Sequence, residues 1–171
     1  AAVRAFLAEP GGILVAVVVA AVVLALLVVP VLLARGALED APAVGDIRAI
    51  LPRTRGELPY GAALSINAGV VEELLFRLGL PGLVFAVTGD AVVAFVGATL
   101  LFGLLHAYQG PLGIVFSIVV GALFAALYLV TGTIAAPILL HVVVDLRSLV
   151  LIPVVLGAAA APGPVARPVA R

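Results

Sequence analysis

Residues 13–33 read ILVAVVVAAVVLALLVVPVLL, an uncharged apolar run of 21. As a helix such a run is long enough to cross bilayer hydrocarbon. It is also too long for the apolar region of a signal peptide, although Arg4 precedes it. The rest of the 171-residue chain agrees, at 65% apolar and 11% charged with a mean hydropathy of +1.38. Soluble domains lie near half apolar and a quarter charged. The sequence therefore predicts an all-α, polytopic transmembrane helix bundle.

Outward from that run, punctuation divides the chain into about five spans: 12–33, one beginning near Pro59, 91–107, 112–130, and one running to about 157. The turns are Thr88-Gly89-Asp90, Gln109-Gly110-Pro111 and Thr131-Gly132-Thr133. Pro81-Gly82 is expected to kink or break the second span. One integral membrane domain covers 1–171: a first span and loop in 1–58, a core in 59–157, and a polar tail in 158–171. The absence of Met leads us to expect residues ahead of Ala1. Ala94/Ala98, Gly103/Ala107 and Gly121/Ala125 are small pairs that let helices approach closely.

Composition also excludes classes of function. Net charge is zero, which argues against nucleic acid as a partner. Without Cys there is no disulfide, thiolate nucleophile or thiolate-bound zinc. The loop 35–58 holds Arg35, Arg48, Arg53 and Arg55, and the tail holds Arg167 and Arg171. The positive-inside rule puts that loop and the C-terminus in the cytoplasm.

Charged residues inside the apolar stretches are the functional candidates, because hydrocarbon penalises them. They are Glu72, Glu73, Arg77, His106, His141 and Asp145. Glu72 and His106 are 34 residues apart with Gly89 at their midpoint, so a hairpin there sets them at one depth. His141 reaches that depth if 132–136 is extended and the helix begins at Pro137. Glu73 and Arg77 are four apart with the acid first, the favourable order for an ion pair. Glu72 is rotated about 100° from Glu73 and faces elsewhere. His141 and Asp145 share a helix face. Carboxylates for base work, imidazoles for proton transfer and an arginine counter-charge point to hydrolysis within a membrane.

The three motifs are Glu72-Glu73-Leu74-Leu75-Phe76-Arg77, Phe102-Gly103-Leu104-Leu105-His106, and His141-Val142-Val143-Val144-Asp145. Over about residues 60–152 the chain resembles the CPBP family of intramembrane proteases. That family includes the CAAX prenyl endopeptidases and bacterial relatives linked to bacteriocin processing or self-immunity. Its signature is Glu-Glu-x-x-x-Arg, Phe-x-x-x-His and His-x-x-x-Asn or Asp on separate membrane helices. The resemblance implies an endopeptidase acting on a lipidated or membrane-anchored peptide in the bilayer, here expected in a bacterial plasma membrane.

It also implies roles. Glu72 would be the general base, activating water with His106. His141 and Asp145 would stabilise the oxyanion or orient the water, and Glu73 with Arg77 would be a structural ion pair. Ser65, one heptad before Glu72, and Phe102 are expected to line the same cavity. An ionised Asp145 cannot donate to an oxyanion, so it is either protonated there or fixes a histidine tautomer. No cofactor is favoured; zinc held by Glu72, His106 and His141 is the main alternative. Other protease types fit poorly, since His-Glu-x-x-His and Gly-x-Gly-Asp are absent. A triad of Ser117, His141 and Asp145 is disfavoured, because base and orienter would share one helix. A proton-coupled transporter or a non-catalytic binding or immunity protein using the same cavity remain the other classes.

Overall fold

The structure is a computed structural model that describes residues 8, 12–33 and 50–156. Arg4, Arg35, Arg48 and the tail 158–171 lie outside the described residues. Among the described residues there are helices and no strands. Helix α1 is Gly12–Leu33. A 3-10 turn, Arg55–Glu57, leads into α2 (Leu58–Glu73), a π-helical segment (Leu74–Gly79) and α3 (Leu80–Thr88). Then come α4 (Ala91–Leu105), a 3-10 turn (Ala107–Gln109) and α5 (Gly110–Thr131). Helix α6 (Ala135–Leu146), a second π segment (Arg147–Leu151) and α7 (Ile152–Val155) finish the described chain. These make five helical rods on the stretches expected to span.

Large apolar side chains cover the outside of the bundle, among them Leu83, Val87, Val92, Leu112 and Leu139. In water such a surface would aggregate, whereas in lipid it is the solvent-facing side. Ala107–Thr131 and Ala135–Val155 are each long and apolar enough to cross a bilayer, and Val19–Leu33 and Ala91–Leu105 are shorter apolar helices. The chain is an all-α membrane helix bundle.

Local chemistry sets the turns. Asp90 caps α4, its carboxylate accepting from Val92 N at 2.8 Å and Val93 N at 3.1 Å. Gly89 before it and Gly132 after α5 are left-handed, with φ of 69° and 66°, as helix-ending glycines commonly are. Glu57 accepts from Arg53 N at 2.8 Å and Thr54 Oγ1 at 3.0 Å, which holds its carboxyl below the usual range.

The core forms where α2 packs on α6, α4 on α3 and α5, and α5 on α6. Gly61, Ser65, Gly69 and Glu73 form the buried stripe of α2. A Cβ at Gly61 would lie 2.6 Å from the Leu149 carbonyl oxygen. Ala94 and Ala98 are buried, as are Gly121 and Ala125, so both pairs pack as expected. Ala107, by contrast, is exposed while Gly103 is buried.

Two expectations need correction. Pro81 does not break its helix. The π segment ahead of it shifts the ladder to five-residue spacing, with Leu80 N bonded to Leu75 O, and the rod runs on to Thr88. The irregular stretch before the last rod is shorter than 132–136: helix α6 starts at Ala135, two residues ahead of Pro137. Thr133 Oγ1 accepts from Ala135 N at 3.3 Å and gives the chain a local way into the helix.

Candidate active site

Glu73 lies at the centre of the polar core and is fully buried. One carboxylate oxygen is 3.0 Å from Arg77 Nε, one helical turn on. The other accepts from His141 Nδ1 at 2.8 Å, across the α2–α6 contact. Arg77 is 2% exposed, a burial that only neutralising partners allow. It finds them in Glu73, in the Gly121 carbonyl at 3.1 Å, and in the faces of Phe102 and Phe124, 4.9 and 5.5 Å from its Cζ. Gly121 exposes that carbonyl closely, since a Cβ there would sit 2.9 Å from Phe102 Cδ1.

Glu72 faces away from this knot, as its rotation about α2 requires. Its side chain is 33% exposed, and Oε2 is buried with no hydrogen-bond partner. That oxygen is 4.0 Å from His141 Nε2, and Asp145 Oδ2 is 3.7 Å from the same nitrogen. Both distances exceed a hydrogen bond, so the three groups surround a space rather than fill it. Phe124 stacks on the His141 ring, with centroids 5.0 Å apart.

His106 comes from the other side. The helical ladder of α4 ends at Leu105, and His106 caps it with φ −88° and ψ 15°. Its Nδ1 lies 2.8 Å from the Phe102 carbonyl. A carbonyl only accepts, so this nitrogen carries the proton and Nε2 of the neutral ring keeps a lone pair. Phe102 also packs edge-on to Phe76, with centroids 5.2 Å apart.

A cavity of about 640 Å³ joins these groups, and Glu72, Phe102, His106, Ser117, His141 and Asp145 all line it. The structure thus brings Glu72, His106, His141 and Asp145 to one space. Ser65 is a correction. It does not line this cavity but is fully buried, its hydroxyl donating to the Gly61 carbonyl at 2.9 Å. A small side chain bonded within its own helix suits the tight α2–α6 contact.

His141 Nδ1 is taken by Glu73 and His106 Nδ1 by a carbonyl, which leaves Nε2 of each ring as its open ligand atom. Among the described residues no group of three or more His, Asp or Glu side chains is arranged to hold a metal ion.

Sequence reasoning missed two contributors, the bond from Glu73 to His141 and Phe124, and it found no partner for Arg147. Helix α5 carries no Asp, Glu, His, Lys or Arg, and its residues were read only for a disfavoured serine triad and a packing pair. The available signal was spacing, because Ser117, Gly121 and Phe124 fall on one helical face.

No curated protein matches the chain, and no solved structure does. A family model described as type II CAAX prenyl endopeptidase Rce1-like matches residues 54–147, the stretch that carries all three motifs. With more than half of its residues inside that match, the chain belongs to the Rce1-like family of type II CAAX prenyl endopeptidases.

Proposed function

We propose that the protein is an intramembrane endopeptidase that hydrolyses a peptide bond of a lipidated or membrane-anchored peptide. A prenylated peptide is the kind of substrate for which its family is named. The observation that carries this reading is one cavity, inside an apolar bundle, shared by Glu72, His106, His141 and Asp145. Hydrolysis there needs a water, a base, and a donor for the oxyanion.

Glu72 is the base. Its Oε2 is a buried acceptor with no protein partner, suited to an O–H of water. His106 Nε2 accepts the second O–H and orients the oxygen toward the substrate carbonyl. Attack moves one proton to Glu72 and leaves the charge on the carbonyl oxygen. His141, in its protonated form, donates from Nε2 to that oxygen while Glu73 balances the ring at Nδ1. Asp145, near the same nitrogen, orients the imidazole. Collapse breaks the C–N bond, and the Glu72 proton passes to the leaving amine. No step runs through zinc. The arginine distribution supports a cytoplasmic side for the 35–58 loop and the C-terminus.

The test is cleavage of a membrane-anchored peptide library by purified protein, wild type against Glu72→Gln, with and without chelator. Cleavage lost in Glu72→Gln and kept with chelator supports glutamate-activated water. Loss in both supports zinc. Equal behaviour of wild type and variant removes the protease reading and leaves binding or transport to the cavity.

A further inference from the structure

Arg147 opens the second π segment, and its Nη1 donates to the backbone carbonyl of Leu26 in α1. Leu26 is four residues before Pro30, which lies inside that helix. In an α-helix the residue-26 carbonyl accepts from the N–H of residue 30, and proline has none. Hydrocarbon offers no water in its place. Arg147 therefore satisfies a carbonyl that the proline sets free. Its Nη2 donates to Ser148 Oγ at 2.5 Å, and Ser148 in turn donates to the Val144 carbonyl at 3.2 Å, so the guanidinium is held on the core side.

The same stretch of α1 borders the candidate site. Val22, Ala25, Leu26, Val29 and Pro30 line the cavity that Glu72 and His106 line, and so does Arg147. The rest of the helix is loosely attached: α1 packs on the second π segment and α7, while Val17, Leu24 and Leu32 are exposed. Helix α1 lies outside the family match, which ends at Arg147.

We propose that α1 is a wall of the substrate cavity, held in place by Arg147 through the carbonyl freed by Pro30. Arg147 is then a positioning residue for the apolar, membrane-anchored part of the substrate. The proposal rests on the endopeptidase reading. The competing role, satisfying the carbonyl and nothing more, is separable. Pro30→Ala returns a helical N–H to Leu26, so in Pro30→Ala/Arg147→Met the carbonyl is satisfied while α1 is no longer tied to the core.

Arg147→Met should raise KM for a membrane-anchored peptide about tenfold, the scale of one charge-assisted hydrogen bond, and leave kcat nearly unchanged. Arg147→Lys, which keeps a charged donor, should recover most of that loss. A short peptide without the anchor should show no change in KM. The double variant should recover thermal stability and keep the raised KM. Recovery of KM in the double variant, or an unchanged KM in Arg147→Met, overturns the proposal. A second readout needs no catalysis. The chain has no Cys, so nitroxide labels at Leu32→Cys and Ile66→Cys, both exposed, report the distance from α1 to α2 cleanly. That distance should be narrowly distributed in the wild type and broad in the double variant. If the wild type cleaves nothing, the endopeptidase reading fails on its own, and an equally narrow distribution in the double variant then overturns the proposal independently.

Discussion

Glu73 accepts the Nδ1–H of His141 at 2.8 Å across 68 positions of sequence, while its second oxygen lies 3.0 Å from Arg77 Nε. One carboxylate thereby anchors both the arginine of the first motif and the histidine of the third. The two adjacent glutamates have separate work, and substitutions should separate them.

Glu73→Gln leaves Arg77 buried without its counter-charge, which should destabilise the fold by about 3–5 kcal/mol. Glu72→Gln alters a side chain that borders the cavity, so it should keep the melting temperature and lower kcat by about 10²–10⁴. Thermal unfolding in detergent, run beside cleavage on both variants, checks this. An unstable Glu72→Gln with a stable, inactive Glu73→Gln would reverse the assignment.

Chelation should leave cleavage intact, and zinc added afterwards should not raise it. Nδ1 of His141 and of His106 is bonded to Glu73 and Phe102, so only Nε2 of each ring is open, and among the described residues no three His, Asp or Glu side chains are arranged to hold a metal ion. Activity lost on exhaustive chelation and restored by zinc would make Glu72, His106 and His141 ligands instead.

Two glycines give a matched packing test. A Cβ at Gly61 meets the Leu149 carbonyl oxygen at 2.6 Å and Pro52 Cγ at 2.9 Å, and a backbone oxygen cannot swing aside. Gly61→Ala should cost about 1–3 kcal/mol by forcing α2 from the last rod. Gly82, inside α3, has nothing within 4 Å of such a Cβ. Gly82→Ala should be neutral or stabilising by up to about 1 kcal/mol, from helix propensity alone. Melting temperatures of the pair decide it.

Asp90→Ala should remove the α4 cap at a cost of about 1 kcal/mol. Cleavage per folded molecule should be unchanged, because Asp90 holds the α3–α4 turn and does not line the cavity. A selective loss of kcat would mean that the hairpin angle tunes the placement of His106.

The rods were legible because hydrocarbon imposes long apolar runs, and Gly89, Gly110 and Gly132 mark the turns with backbone angles that other residues resist. The candidate site was legible because hydrocarbon makes each buried charge conspicuous. What stayed hidden depends on a partner. A proline interrupts the α-helical ladder but does not say whether the helix ends there or, as at Pro81, runs on behind a widened turn. The bond from Glu73 to His141 needs α2 close against the last rod, which Gly61, Ser65 and Gly69 permit. Those three small residues were not read as a helix-packing stripe. Arg147 was visible as an intramembrane charge, yet its partner is a main-chain carbonyl, and Pro30 was a sign of it only once α1 lay alongside.

The two π segments have a consequence for periodicity. Residues 61, 65, 69, 73, 77 and 81 are all buried, a repeat of four carried through six positions. An α-helix of 3.6 residues per turn rotates such a repeat by about 40° at each step, so five steps would swing it by about 200°. The stripe would leave the core before Arg77. Placing one extra residue in the turn between Leu74 and Gly79 winds the helix back by about one residue, or 100°, which removes half of that drift. The last rod repeats the device: Pro137, His141, Leu149 and Pro153 are buried at multiples of four, with Asp145 on the same count at the cavity, and its π segment begins at Arg147. The rods of the first and third motifs thus keep phase with their neighbours over a length that a regular helix would not sustain, and an arginine stands at each point of correction.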